Sequence, residues 1–288
     1  MLVTMLSDVR ARSRQVAVGE FDGVHLGHRE VIRGSDTVLT FDPHPLRVVA
    51  PQAAPRLLTS LEVKAELIAQ LGVQELVVIP FDESFAHQSP HDFIDQVLIG
   101  ALGANRISVG ENFRFGHLAA GDAGLLARHG HFQTRVVPLV EVDGEVVSSS
   151  HIRALVLAGE VDRATRLLGA RFRIRGEVVS GERRGRELGF PTANVIPDDA
   201  LVYPGHGVYA ARTEGACAAV SIGVRPTFGT GRGVLIEAYL LDRDVDLYGR
   251  RLTIEFLQRL RGERRFESAE ALVAQMHRDV SRARELCG

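Results

Sequence analysis

The stretch GEFDGVHLGH (19–28) sets His25 and His28 three positions apart, behind the glycines at 19 and 23. Imidazoles at this spacing can ligate a metal ion or donate hydrogen bonds to phosphate oxygens. The metal reading wants a third ligand and leaves the glycines without a purpose. The phosphate reading uses every part. Gly19 and Gly23 let the backbone turn sharply and approach a ligand. A helix that follows would turn its free N–H groups toward an anion.

The rest of the composition narrows the chemistry. Lys64 is the only lysine in a chain of 288 residues, and nearly every other cation is arginine. That excludes a Walker A loop, which needs a lysine to reach the phosphates. The formal net charge of −2 lacks the basic footprint of a nucleic-acid binder. Two local basic runs stand out, GERRGR (181–186) and RLRGERR (259–265). The first is a possible phosphate contact and the second reads as a solvated loop and helix end. No apolar run approaches the ~18 residues of a membrane span. The opening residues lack the apolar centre of a signal peptide, so a cytoplasmic protein is expected. Cys217 and Cys287 form no framework or metal pattern, in keeping with a reducing compartment.

The elements that must position the histidines follow from periodicity. VAV (16–18), TVLTF (37–41), LVVI (76–79), RISV (106–109) and RVVPLV (135–140) are apolar runs of buried-strand length. Helical patterns lie between them. Thr59 with Glu62 suggests a capping box ahead of Leu61, Ala65, Ile68 and Leu71. Ser89-Pro90 opens a second helix, with Phe93, Ile94, Val97 and Leu98 as its apolar stripe. This alternation predicts a doubly wound parallel sheet, which binds ligands beyond the carboxyl ends of its strands. The loops there are GEFDGVHLGH, FDPHP (41–45), PFDES (80–84), GENFRFG (110–116) and the segment ending SSSHIR (148–153). From Arg171 onward the runs are short, often alternating and punctuated by Gly, Pro and Asp, which predicts antiparallel β structure in a barrel or sandwich. A last helix is capped by Ser268, with Leu272, Met276, Val280 and Ala283 on one packing face. The expected domains are residues 1–168 and 169–288.

The motifs, taken in order, resemble a known family. HLGH after GEFDG resembles the signature of HxGH nucleotidyltransferases, and SSSHIR their second signature. TFDPHP (40–45) and GENFRFG, then GFPTAN (189–194), GVYAA (207–211), VRPTFG (224–229), IEAYLLD (236–242) and DLYG (246–249), are similar to the bacterial bifunctional riboflavin kinase/FAD synthetase family. The resemblance spans nearly the whole chain. It implies a Rossmann-like nucleotidyltransferase domain followed by an antiparallel β-barrel kinase domain with a terminal helix. It implies phosphorylation of riboflavin to FMN and adenylylation of FMN to FAD, with ATP, riboflavin and FMN as small-molecule partners, Mg²⁺ as cofactor, and neither nucleic acid nor membrane. A kinase with a silent first domain and a non-catalytic flavin-binding regulator are the rival readings.

The roles that the resemblance implies are as follows. His25 and His28 hold the triphosphate and steady charge on the α-phosphate. Gly19, Phe21, Asp22, Gly23, Gly27 and His44 belong to the same phosphate site. Arg153, with Ser149 and Ser150, holds the departing pyrophosphate. Asn112, Phe113 and Phe115 meet nucleotide or flavin, with one of the two phenylalanines expected to be core packing instead. Gly189 and Pro191 sit at the second ATP site, with GERRGRELG as a basic flap. Thr192 and Asn194 face Mg²⁺, and Glu237 is the general base. From strand alternation alone Glu237 is simply an outward-facing position. Only REVIRGSDTVL separates His28 from Thr40, so the first helix is expected to end near Gly34 after about two turns.

Overall fold

The computed structural model describes residues 1–180, 189–224, 234–243, 245 and 247–288. The flap residues 181–188, most of VRPTFG, and Asp246 of DLYG lie outside the described residues. The chain forms two compact units, Met1–Ser149 and Ser150–Gly288.

The first unit is built on a six-stranded parallel sheet. Its strands are β1 (Leu2–Met5), β2 (Arg14–Val18), β3 (Thr37–Asp42), β4 (Glu75–Pro80), β5 (Ala104–Gly110) and, after two minor strands, β8 (Gln133–Val137), in spatial order β1-β4-β3-β2-β5-β8. The minor strands β6 (Arg114–Phe115) and β7 (Gly121–Asp122) pair with each other. The central strands are apolar on both faces because both faces are covered. On one face Ala17, Val38, Leu76 and Val78 pack with Val31, Ile32 and Ile68 of α1 (Leu26–Ile32) and α3 (Leu61–Ala69). On the other, Val16, Val18, Leu39 and Ile79 pack with Phe93, Ile94, Val97 and Leu98. These last four are the predicted stripe. They lie on a helix that Ser89 caps as α5 (Pro90–Asp92) and that continues over Phe93–Ala101 with π-type hydrogen bonding. The other short helices of this unit are α2 (Pro45–Val49), α4 (Glu83–Ala86) and α6 (Ala123–Arg128). The small hairpin β9 (Glu141–Val142) and β10 (Glu145–Val146) follows β8.

Several local expectations change. Ser60, not Thr59, caps α3, accepting from the Val63 N–H at 3.3 Å. Strand β8 stops at Val137, because Pro138 cannot donate to the ladder. Strand β1 lacks a sequence signal of a buried strand because it is an exposed edge, with Leu2 62 % accessible. The expected short first helix is found: α1 has seven residues, and Gly34 turns the chain at φ +75°.

The second unit starts with α7 (Ser149–Ala158), whose first residue belongs to the first unit, and α8 (Val161–Leu168), which ends on Gly169 in the left-handed conformation. Then come β11 (Arg173–Val179), β12 (Ala193–Pro197), β13 (Gly207–Thr213), β14 (Ala216–Val224), β15 (Val234–Leu240) and β16 (Arg251–Arg261). They close an antiparallel barrel in the order β11-β12-β15-β14-β13-β16. Helix α9 (Ala269–Cys287) is capped by Ser268 as expected and lays Val280, Ala283 and Leu286 against β13 and β14 residues on the outside of the barrel. Its Asp279 is buried and bound by Arg261 at 2.8 Å. The run RLRGERR therefore begins as the end of a strand rather than as a solvated loop. The cysteine expectation is also corrected. Cys217 on β14 and Cys287 at the end of α9 are joined as a disulfide across 70 residues of sequence. A spacing that shows no pattern along the chain is closed by the return of α9 onto the barrel.

Candidate functional site

In the first unit β2 pairs with β3 on one side and β5 on the other. The winding reverses there, which opens a crevice at the carboxyl ends of these strands. Three of the predicted loops emerge at that point: 19–25 after β2, 43–44 after β3 and 111–113 after β5.

The first loop is held in an unusual conformation. Phe21 (φ 52°), Gly23 (φ 86°) and Val24 (φ 44°) all have positive φ. For a bulky or β-branched residue that is a strained state, which persists only where surroundings enforce it. The surroundings are visible. The buried Asp22 carboxylate accepts the Leu58 N–H at 2.8 Å and the Thr59 N–H at 3.1 Å. The Thr59 hydroxyl accepts the Gly23 N–H at 3.1 Å. Ser149, at the start of α7, donates to the Asp22 carbonyl at 3.0 Å. Gly19 has no room for a side chain without pressing on the Phe21 ring, 3.1 Å from where a Cβ would stand.

The two histidines have distinct jobs in this geometry. His25 caps α1, its Nδ1 accepting the His28 N–H at 3.2 Å. An Nδ1 that accepts carries no proton, so the neutral ring is protonated at Nε2. His44 repeats the device at the start of α2, its Nδ1 accepting the Leu46 N–H at 3.1 Å. Both rings are thus set to donate from Nε2. The His25 and His28 rings stack at 3.5 Å, and the Phe21 ring meets His28 edge-on at 5.3 Å. Gly27 permits this, since a Cβ there would lie 3.2 Å from the His25 ring. Burial lowers the His25 pKa to about 4. Burial, then the neighbouring His25, then Lys64 hold His28 well below the ordinary range. The pair is therefore neutral at pH 7. His28 Nδ1 is buried and finds no partner among the described residues.

The remaining predicted residues of this region divide. Asn112 is exposed on the loop after β5. Phe113 is half-buried and stacks on Phe115 at 5.6 Å. Phe115 is 6 % exposed, inside the core beside Phe93. Ser150 is exposed and Arg153 half-buried, both on α7 beyond Ser149. The buried Lys64 and the adjoining Glu20 escaped the motif reading. A lone lysine between Leu61 and Ala65 on an apolar helix face was the available signal.

In the barrel Asn194 and Glu237 sit on strands. Asn194 of β12 stands opposite Glu237 of β15, and Glu237 stands opposite Ser221 of β14. Directly opposed residues share a face, so these polar groups form one row across three strands. The next row, Val195, Ile236 and Ile222, is buried in the barrel interior. Glu237 is therefore outward-facing, as alternation alone would have it, and it is also beside Asn194. Asn194 is 6 % exposed, and its Oδ1 has no hydrogen-bond partner among the described residues. Gly189 turns the chain at φ +85° ahead of Pro191, both exposed, and Thr192 is half-buried. Phe190 is buried against Tyr239 at 5.3 Å and His277 of α9 at 5.1 Å.

Comparison with known proteins decides the family. The FAD synthetase model matches residues 8–151 and the riboflavin kinase model matches residues 168–287. A bifunctional riboflavin kinase/FMN adenylyltransferase of Listeria monocytogenes is 36 % identical, covering 93 % of this chain and 90 % of that protein. The chain belongs to the bifunctional riboflavin kinase/FMN adenylyltransferase family. The Bacillus subtilis member is 37 % identical over 97 % of this chain and 94 % of its own. A crystal structure titled as a macrolide-efflux protein from Streptococcus pneumoniae superposes with a TM-score of 0.90 at 29 % identity, covering 99 % of both chains. In this family member no helix among the described residues is long and apolar enough to cross a membrane.

Proposed function

We propose that this transferase carries out two reactions in series. Riboflavin takes the terminal phosphate of ATP and becomes FMN. FMN then attacks the α-phosphorus of a second ATP, forming FAD and releasing pyrophosphate. The observation that carries this reading is the match of both modules, in order, along nearly the whole chain. We assign adenylylation to residues 1–168 and phosphorylation to residues 169–288. ATP as the shared substrate argues for a cytoplasmic enzyme.

Such transfers depend on positioning and on neutralising phosphate charge. In the first module the Nε2–H groups of His25 and His44 and the ring of His28 receive phosphate oxygens. The neutrality of His25 and His28 at rest suits a site that must accept a polyanion without first releasing a bound counter-ion. Gly19, Phe21, Asp22, Gly23 and Gly27 shape the loop that carries them. Arg153, with Ser149 and Ser150, holds the pyrophosphate end. Asn112 and Phe113 take the nucleotide or flavin, and Phe115 supports Phe113 from the core.

In the second module Gly189 and Pro191 shape the ATP loop. Glu237 takes the proton of the ribityl hydroxyl, which requires hydrogen-bond reach to it. Mg²⁺ takes few protein oxygens and keeps phosphate and water as its other ligands. The Asn194 Oδ1, without a partner among the described residues, fits that preference, so Asn194 and Thr192 would hold the ion. When bound it would neutralise charge on the ATP phosphates.

A chromatographic time course with riboflavin, ATP and Mg²⁺, repeated with FMN as the starting flavin, tests the reading. FAD in both runs supports it. FMN without FAD would leave a kinase alone, and no turnover would overturn both assignments.

A further inference from the structure

The single lysine excluded one phosphate device; its position in the fold supplies a role in another. Lys64 lies on α3 and is 4 % exposed. Its Nζ donates to the Glu20 carbonyl at 2.6 Å and to the Thr40 hydroxyl at 3.3 Å, and stands 3.8 Å from Glu20 Oε2. The Thr40 hydroxyl donates to the same Glu20 carbonyl at 3.1 Å. That carbonyl thus receives two donors, one from a helix and one from β3. It belongs to the residue between the end of β2 and the strained Phe21, whose ring meets His28.

A buried ammonium is costly unless its donors are used, and here they go to a backbone oxygen of the candidate phosphate loop and to the Thr40 hydroxyl that donates to that same oxygen. The Glu20 carboxylate only partly answers the charge, since its Oε1 is buried without a partner among the described residues. Thr59, two residues before α3 begins, grips the same loop at Asp22 and Gly23. Helix α3 and its lead-in therefore hold the loop at both ends of the Phe21 turn.

We propose that Lys64 is a positioning residue for adenylyl transfer: it fixes the Glu20 carbonyl, and through it the Phe21 turn, so that the His28 ring is held in place toward the α-phosphate. The inference rests on the adenylylation reading of this site. It gives Lys64 no contact with substrate. Charge and donation are both required of it, so a guanidinium serves in part and a thioether does not.

The test compares wild type, Lys64→Met and Lys64→Arg in FAD formation from FMN and ATP. Amide hydrogen exchange over residues 1–149 confirms the fold of each. Lys64→Met is expected to lose about 10²-fold in kcat, the scale of a ~1 Å misplacement, while the KM for ATP moves little. Lys64→Arg is expected to recover most of that loss. Where Lys64→Met does not fold, Glu20→Gln/Lys64→Met removes the carboxylate along with the ammonium and carries the same expectation. A folded Lys64→Met with wild-type kcat, or a Lys64→Arg as slow as Lys64→Met, overturns the inference while leaving the site's assignment intact. A wild type that forms no FAD overturns the assignment itself, and the inference with it.

Discussion

The two units place polar side chains by opposite means. In the parallel sheet the histidines stand beyond the strand ends, His25 and His44 as helix caps and His28 in the first turn of α1, and the loop after β2 contains three positive-φ residues in four positions. In the barrel Asn194, Glu237 and Ser221 stand on the strands, and the ladder alone sets them in a row. A loop-built site needs braces from elsewhere: Asp22 to residues 58–59, Thr59 to Gly23, and Lys64 to Glu20. A strand-built site is fixed by register, because a one-residue slip would turn its whole polar row inward. Damage to the first site can thus be remote, whereas damage to the second is local.

The sharpest way to break this comparison is to inactivate each site alone. His25→Ala removes the cap of α1 together with the ring proposed to meet phosphate. FAD formation from FMN is expected to fall by about 10²–10³, with FMN formation from riboflavin retained. Glu237→Gln is expected to do the reverse, lowering FMN formation by about 10²–10⁴ while supplied FMN is still adenylylated. Initial rates from the two starting flavins check both. Loss of both activities in either variant would refute the division of labour.

A smaller effect is expected at Asn194. Asn194→Ala should raise the Mg²⁺ concentration needed for half-maximal riboflavin phosphorylation by about tenfold, the low end of effects at metal sites. A magnesium titration that leaves that midpoint unchanged would remove Asn194 from the metal site.

The braces make the third contrast. Asp22→Ala strands two buried backbone N–H groups, at Leu58 and Thr59. A cost of about 2–4 kcal/mol to the first unit follows from roughly 1–3 kcal/mol per unsatisfied group, with partial relaxation. Denaturant unfolding followed by hydrogen exchange is the measurement, and protection lost in residues 1–149 but kept in the barrel is the expected result.

Much of this was legible beforehand, for identifiable reasons. Parallel strands buried on both faces read as apolar runs, so β2 to β5 are plain in the sequence. The caps at Ser89 and Ser268 are local hydrogen bonds, and local signals survive folding. What escaped was non-local. Thr59 resembles a cap until Asp22 and Gly23, more than thirty residues away, claim its backbone and hydroxyl. Strand β12 is masked because it begins on the last two residues of GFPTAN and Asn194 breaks its apolar pattern, and the cysteine pair is closed only by the return of α9. Lys64 was noticed for the motif it excludes, since nothing in the sequence around it points to Glu20.

The smallest expected effect concerns opposing proton equilibria in the first site. Burial raises Glu20 from 4.5 to about 7, against the pull of the Lys64 charge, with Asp22 and Asp42 adding to the rise. Between those values the folded chain keeps a proton that the unfolded chain has lost. Its stabilising share is complete below 4.5 and is lost as pH rises through about 7. His25, lowered from 6.5 to about 4, has the opposite slope: its share is present above 6.5 and is lost as pH falls through about 4. Glu20 opposes His25 near pH 5–6, and His28, also held below the ordinary range, adds a slope of the same sign as His25, so the stability of wild type is expected to rise with pH there. Glu20→Gln removes one slope and leaves the Lys64 bond to the Glu20 carbonyl in place. The variant should match wild type near pH 4.5 and exceed it at pH 8 by about 1–2 kcal/mol. That is less than the ~1.4 kcal/mol per unit would give, because the side chain is a quarter exposed and loses its partial ion pair. Unfolding midpoints of the first unit from pH 4.5 to 8 measure it. A difference that does not grow with pH would mean that Glu20 is ionised in the folded chain and that Lys64 is fully paired.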